Sequence, residues 1–362
     1  MNLRIPGPTP CPEEVLQAQA QQMVNHRGPE FAAILRRVTD GLNWVFGTSS
    51  DVLSFTTSGT GGLEVAVVNT LSPGDRVLSV SVGSFGDRFK NIAKAYGAEV
   101  ESYATEWGEA ADPAEVGRRL DADPTIKAVL VTHNETSTGV TNPLEAIARQ
   151  VRARRRLVIV DAVSSMSSIP CPVERWDLDV VVSGSQKGWM VPPGLAFVYM
   201  GQRAWAANAE AKMPRFYFDA ARTRDSLVKQ QTPWTPAVSI FYAMDKAFEI
   251  MRLEGLEGVF TRHQAIAAAA RERVKKLGLR LVPVDERFAS DTVTAVWWPD
   301  GVDGKALSKR AREEFGVVLG GGQGKLEGKI FRVGHLGWVS QEDVSSALDV
   351  VERCLSDAKV RA

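Results

Sequence analysis

This chain of 362 residues has no long hydrophobic run. None approaches the roughly 18 apolar residues that a membrane-crossing helix needs, so a soluble protein is expected. Cysteine is scarce: Cys11, Cys171 and Cys354 stand far apart without a C-x-x-C spacing. That sparse, odd set argues against a disulfide framework or a zinc site and for a reducing cytoplasm. The proline-rich start, MNLRIPGPTPCPEE, lacks the apolar core of a secretory signal. Neither sign of charge is in excess, with 43 basic and 43 acidic residues. The densest basic run, Arg152 to Arg156, reads as the solvated end of a helix, and nucleic acid is not an expected partner. Zero net charge gives little protection against self-association, which fits an obligate oligomer. Internal repeats and low-complexity segments are absent.

What is present is the composition of an ordinary globular protein, 44% hydrophobic and 24% charged. The length exceeds that of one compact core, so two domains are expected. Residues 1–12 carry four prolines and read as an extended arm. A large domain is expected over 13–255 and a smaller α+β domain over 256–362, joined by a long helix from about residue 237. Short strand-like runs at Arg76–Val80, Glu99–Tyr103, Ala128–Val131, Leu157–Val160, Val180–Val182 and Ala196–Tyr199 alternate with helical patterns at Pro113–Leu120 and Leu144–Arg154. That alternation predicts an α/β fold with a doubly wound, mostly parallel sheet.

The stretch Leu157–Trp189 carries the first chemical signal. Leu157–Val160 is a continuous apolar run, the mark of a strand buried on both faces, and it ends in Asp161. Carboxyl ends of such strands are where open α/β sheets bind ligands. The next run, Leu178–Val182, breaks into Ser183-Gly184-Ser185-Gln186 and delivers Lys187. A buried acid and a lysine over one crevice suit pyridoxal phosphate (PLP), which needs a lysine for a Schiff base and an Asp at its ring nitrogen. Taken by themselves, a helix-capping Asp161 and a solvated Lys187 are the simpler reading.

Other stretches carry paired readings. Ser58-Gly59-Thr60-Gly61-Gly62 opens a helical run, either as an anion site at the positive helix end or as a capped start. It matches neither a Walker loop nor the G-x-G-x-x-G fingerprint that a nicotinamide oxidoreductase needs. Phe85, set between glycines, would either stack on a flat ring or plug the core. His133, after the Ala128–Val131 run, reads as a structural cap ahead of a base. Arg332 inside the apolar Phe331–Val333 wants a planar carboxylate, from a ligand or from the protein itself. Gly320–Lys325 is flexible enough for a lid or for a surface connection.

In order, SGTGGLE, GSFGDRF, HNETSTGV, VDAVSS, SGSQKG and FRVGHLG resemble class V aminotransferases of PLP fold type I, particularly the alanine–glyoxylate and serine–glyoxylate group. The segments IPGPTPCP and VNHRGPEF extend the likeness over nearly the whole chain. The resemblance implies PLP-dependent transamination. Lys187 would carry the Schiff base and move the proton, and Asp161 would pair with the ring N–H. Val163 and Phe85 would cover the two ring faces, and Ser58, Gly59, Thr60 and Gln186 would hold the phosphate. Thr136 would bond the ring hydroxyl, Arg332 would clamp the substrate carboxylate, and backbone at Gly7 would line the pocket. Active sites would be shared across a homodimer, with Gln231 and Thr232, or Thr235 in another alignment, reaching the partner's phosphate. No second carboxylate-binding arginine is evident, so alanine, serine, glyoxylate and pyruvate are the expected substrates, with His26 and Arg27 able to widen the choice. A desulfurase-like lyase on this fold would need a mobile cysteine over the cofactor, which none of the three matches. A non-catalytic subunit would have no use for Lys187, Asp161, Phe85 and Arg332 together.

Overall fold

The computed structural model describes residues 1–361, with side chains through Asp357. Its strands in chain order are β1 (Asn2–Arg4), β2 (Leu53–Thr56), β3 (Arg76–Ser81), β4 (Glu99–Ala104), β5 (Ala128–Thr132), β6 (Asn134–Glu135), β7 (Val140–Thr141), β8 (Leu157–Asp161), β9 (Val180–Gly184), β10 (Leu195–Met200), β11 (Val293–Trp297), β12 (Val317–Gly321) and β13 (Ile330–Gly334). The larger sheet runs in the order β2-β10-β9-β8-β5-β3-β4. β5, β9 and β10 are buried from end to end, as expected for near-continuous apolar runs covered on both faces.

Alternation along the strands sorts the side chains into two layers. Val129, Val131, Val158, Val160 and Val181 share a core with Phe31, Leu35, Val116, Leu120, Ile147 and Phe241 from helices on one face. Ala128, Leu130, Ile159, Val180 and Val182 pack with Leu63, Val67, Phe89 and Ala93 on the other.

β4, β3, β5, β8 and β9 are parallel, whereas β10 runs antiparallel to both β9 and β2. The link from β9 to β10, Ser185–Gly194, contains no helix. A parallel crossover needs about a dozen residues or more, so the chain turns straight back. Lys187 lies on that turn.

The second sheet has the order β1-β12-β13-β11. Helices Leu256–Lys276, Gly304–Phe315 and Gln341–Arg361 back it, with Ile266, Val274, Leu307, Ala311, Val344 and Leu348 packed on Val296, Val317, Phe331 and Val333. β1 joins this sheet in parallel with β12, pairing Asn2 with Val317 and Arg4 with Leu319. The arm thus contributes a strand to the second sheet. Gly320 and Gly321 likewise belong to β12, opposite Arg332 and Phe331. Only the end of the glycine-rich stretch is a turn, a short 3-10 helix at Gly324–Leu326 that sets the Lys325 ammonium 5.7 Å from the Trp107 ring centroid.

Candidate active site

The carboxyl ends of the parallel strands β3, β5, β8 and β9 lie along one edge of the sheet. Asp161 closes β8 between Thr132 of β5 and Val182 of β9. Its carboxylate is buried, and Oδ1 accepts the Val163 N–H at 3.0 Å. Burial pushes its pKa up to about 6; the Val163 N–H pulls the other way, Glu135 adds to the rise, and Lys187 and Arg88 oppose it.

Lys187 Nζ donates to the Pro6 carbonyl at 2.8 Å. Burial draws its pKa down to about 8, opposed by Asp161 and assisted by the cations Arg332 and Arg88. A sizeable neutral, nucleophilic fraction therefore exists near neutral pH. The arm fixes this turn: the Thr9 N–H and hydroxyl donate to the carbonyls of Gln186 at 3.1 Å and Lys187 at 2.9 Å. Gly7 sits at φ +139°, and a Cβ there would lie 2.6 Å from Lys187 Nζ. Only glycine lets the arm's backbone approach the amine this closely.

Ser58 precedes the Gly59–Thr70 helix without a side-chain capping bond, so the first-turn N–H groups at Gly59 and Thr60 have no side-chain acceptor. A Cβ on Gly59 would meet Val163 Cγ2 at 2.7 Å, which shows how tightly Val163 packs on this loop. Gln186 Oε1 is buried without a hydrogen-bond partner. An amide there can present either its oxygen or its N–H by a half-turn.

Phe85 lies in the first turn of the Ser84–Ala95 helix, half-buried. Sequence reasoning passed over the group that holds it, Glu135. Glu135 Oε2 accepts the N–H groups of Phe85 at 2.9 Å and Gly86 at 3.0 Å. Oε1 accepts the Ser137 N–H at 3.0 Å and hydroxyl at 2.6 Å, and Ser137 Oγ accepts the Ser84 N–H at 2.9 Å. Burial raises the Glu135 pKa while these donors lower it. Burial is the larger effect and the net shift is upward, held in check by these four donors at the positive helix end. Arg88 was also missed. One turn beyond Phe85, it places its guanidinium carbon 4.8 Å from the Phe85 ring centroid and Nη1 3.4 Å from Thr60 Oγ1.

Arg332 joins this cluster from β13. Its Nε donates to the Gly321 carbonyl and Nη1 to the Thr136 carbonyl, both at 2.9 Å. Burial lowers its pKa to about 10, opposed by Glu135. Among the described residues it forms no ion pair, so a carboxylate from the protein is not its partner. Thr136, buried, is thereby tied to Arg332 through its backbone. His133 is buried edge-on to Trp176, and burial takes its pKa down to about 4, leaving it neutral. Gln231 and Thr232 stand apart from this cluster. Arg27 donates to Gln231 Oε1 at 3.1 Å and to the carbonyls of Thr232 and Pro233, fixing that turn beside β2, where Thr56 Oγ1 accepts the Ala237 N–H.

The family model described as aminotransferase class V matches residues 2–326. The chain is similar to the small subunit of a soluble hydrogenase from a Synechococcus strain, 44% identical across 98% of this chain and 93% of that one. It is 37% identical to an L-aspartate–glyoxylate aminotransferase of Paracoccus denitrificans, across 98% of this chain and 90% of the relative. The solved structure of an alanine–glyoxylate aminotransferase from a Nostoc species matches with a TM-score of 0.93 and 32% identity, covering 98% of this chain and 94% of the other. With the sheet, the lysine turn and the family match in agreement, the chain belongs to the class V aminotransferases, PLP-dependent transaminases of fold type I.

Proposed function

We propose that this transaminase moves an amino group between a small amino acid, alanine or serine favoured, and a 2-oxo acid such as glyoxylate or pyruvate. The observation that carries the reading is Arg332. It is buried, bonded to two backbone carbonyls, free of any ion pair among the described residues, and close enough to Lys187 to depress its pKa. A guanidinium so prepared accepts a carboxylate bidentately beside a reactive amine.

PLP, when bound, supplies the electron sink that makes the amino acid's Cα proton acidic. The chain supplies the rest. Lys187 would hold the cofactor through its neutral amine and, when free, would take and return the Cα proton. Asp161 would pair with the ring N–H and so favour the charged form of the ring nitrogen. Phe85 and Val163 cover the ring faces, and Thr136 offers its hydroxyl to the ring oxygen. Ser58, Gly59, Thr60 and Gln186 receive the phosphate, and the unpartnered Gln186 amide and uncapped helix start suit that anion. Backbone at Gly7 closes the substrate side.

The working unit is a homodimer in which Gln231, Thr232 or Thr235 of one subunit reaches the phosphate in the other. Supporting it, Phe216 and Tyr217 are exposed and stack on Trp234 beside that turn, a surface suited to a second copy. Three cysteines without disulfides fit the cytoplasm. A desulfurase-like lyase is disfavoured because burial pushes the thiols of Cys11 and Cys171 up to about 11 and about 12. A non-catalytic subunit would have no use for so depressed a lysine.

The test is the absorbance spectrum of the purified protein before and after L-alanine, L-serine or L-aspartate, added singly. A yellow band that one donor bleaches and glyoxylate or pyruvate restores is the expected result. A yellow band that no amino acid bleaches would overturn the transfer reading.

A further inference from the structure

The groups proposed for the phosphate are neutral: first-turn N–H groups at Gly59 and Thr60, the hydroxyls of Ser58 and Thr60, and the Gln186 amide. A phosphate dianion drawn partly out of water needs more countercharge than the half-charge of one helix end. Lys187 cannot provide it, because Lys187 must be neutral to react.

Arg88 is placed to do so. It leaves the Ser84–Ala95 helix one turn beyond the stacking ring, and its Nη1 stands 3.4 Å from the hydroxyl of Thr60. Phe85 backs the guanidinium at 4.8 Å, a cation–π distance. Among the described residues Arg88 forms no ion pair. The acid nearest in sequence, Asp87, is engaged by Lys90 at 2.7 Å and the Ser81 hydroxyl at 3.1 Å. Apart from the Nη1 contact with Thr60, the planar fork of Arg88 has no side-chain partner among the described residues; it is oriented from two sides and matches the bidentate geometry of a phosphate. Its charge also reaches Asp161 and Lys187, lowering the pKa of each. The contact with Thr60 puts it at the phosphate end, not at the substrate end where Arg332 stands.

We propose that Arg88 binds the phosphate of the cofactor and supplies the full positive charge that the neutral Ser58–Thr60 cradle lacks. The inference rests on the cofactor assignment and goes beyond it by naming the countercharge.

The test compares pyridoxamine 5′-phosphate with pyridoxamine, titrated into cofactor-free protein by equilibrium dialysis. Arg88→Gln is expected to weaken the phosphorylated compound by roughly ten- to a hundredfold and to leave pyridoxamine unchanged. Arg88→Lys keeps the charge without the fork and should lose less. Equal weakening of both compounds would overturn the proposal, because Arg88 would then act through the Phe85 stack. Unchanged affinities with a raised KM for L-aspartate alone would overturn it in favour of a distal-carboxylate site. Wild-type protein that binds neither compound would remove the cofactor assignment itself, a failure distinct from the other two.

Discussion

Lys187 owes its chemistry to where the chain buries it. An exposed lysine is almost wholly protonated at neutral pH, but burial brings this one to about 8. The sign follows from charge: taking the ammonium out of water, with Arg332 and Arg88 nearby, favours the neutral amine, and Asp161 alone opposes. Covalent uptake of PLP by cofactor-free protein should therefore speed up as pH rises and level off above about 8, measured by stopped-flow absorbance across a pH series. Arg332→Gln removes a cation and should shift the midpoint upward; Asp161→Asn removes the opposing carboxylate and should shift it downward. A midpoint at an exposed lysine's value would mean that the amine is solvated before the cofactor arrives. Glu135 belongs to the same network. It fixes Phe85 through the backbone and favours the charged form of the buried Arg332, so one carboxylate serves both the stacking ring and the substrate clamp.

The amino-terminal arm ties the two sheets to the catalytic turn. β1 pairs with β12, and within a few residues Pro6 accepts from Lys187 while Thr9 holds the carbonyls of Gln186 and Lys187. Gly7→Ala would force a Cβ to within 2.6 Å of Nζ and strain a backbone at φ +139°. The strain should cost about 1–3 kcal/mol, visible as a thermal shift of a few degrees. Covalent uptake of PLP should slow by roughly tenfold or more, because the amine itself is displaced; normal uptake in a folded variant would remove the arm from the site. Legibility in the sequence divides along the same line. Buried strands such as Ala128–Thr132 and Leu157–Asp161 announce themselves because both faces are covered and their apolar runs are local. β1 does not, since Asn2–Arg4 is a strand only by virtue of Val317–Leu319, far away in sequence. The antiparallel β10 was legible in the brevity of the link after Lys187, a signal left unused. Lys187 and Asp161 stood out because they follow or close apolar strands, and Arg332 because it is a cation inside one. Glu135 and Arg88 act through contacts between separate loops and helices, and no spacing within one segment encodes those contacts. A weak sign existed in each case: an acid among small polar residues at the sheet's carboxyl edge, and a cation one turn from a presented aromatic.

At the scale of the whole molecule, the cluster around Lys187 lacks the turn that the family resemblance assigns to it. Arg27 holds Gln231 and Thr232 beside β2, and the exposed stack of Phe216, Tyr217 and Trp234 flanks them. Zero net charge leaves little long-range repulsion between copies. If each site takes its lysine from one subunit and its turn from the other, two inactive variants can complement. One carries Lys187→Ala; the other carries Gln231→Ala, Thr232→Ala and Thr235→Ala. In a mixed dimer, one site has neither functional part and the other has both, because the intact turn comes from the chain that lacks the lysine. Random reassortment of equal amounts makes half the dimers mixed, each with one complete site, so activity should recover to about a quarter of wild type. The assay is transamination after mixing under mild denaturation and refolding, with each variant refolded alone as reference. If every site were built from one chain, mixing would restore nothing, because each subunit would keep its own defect.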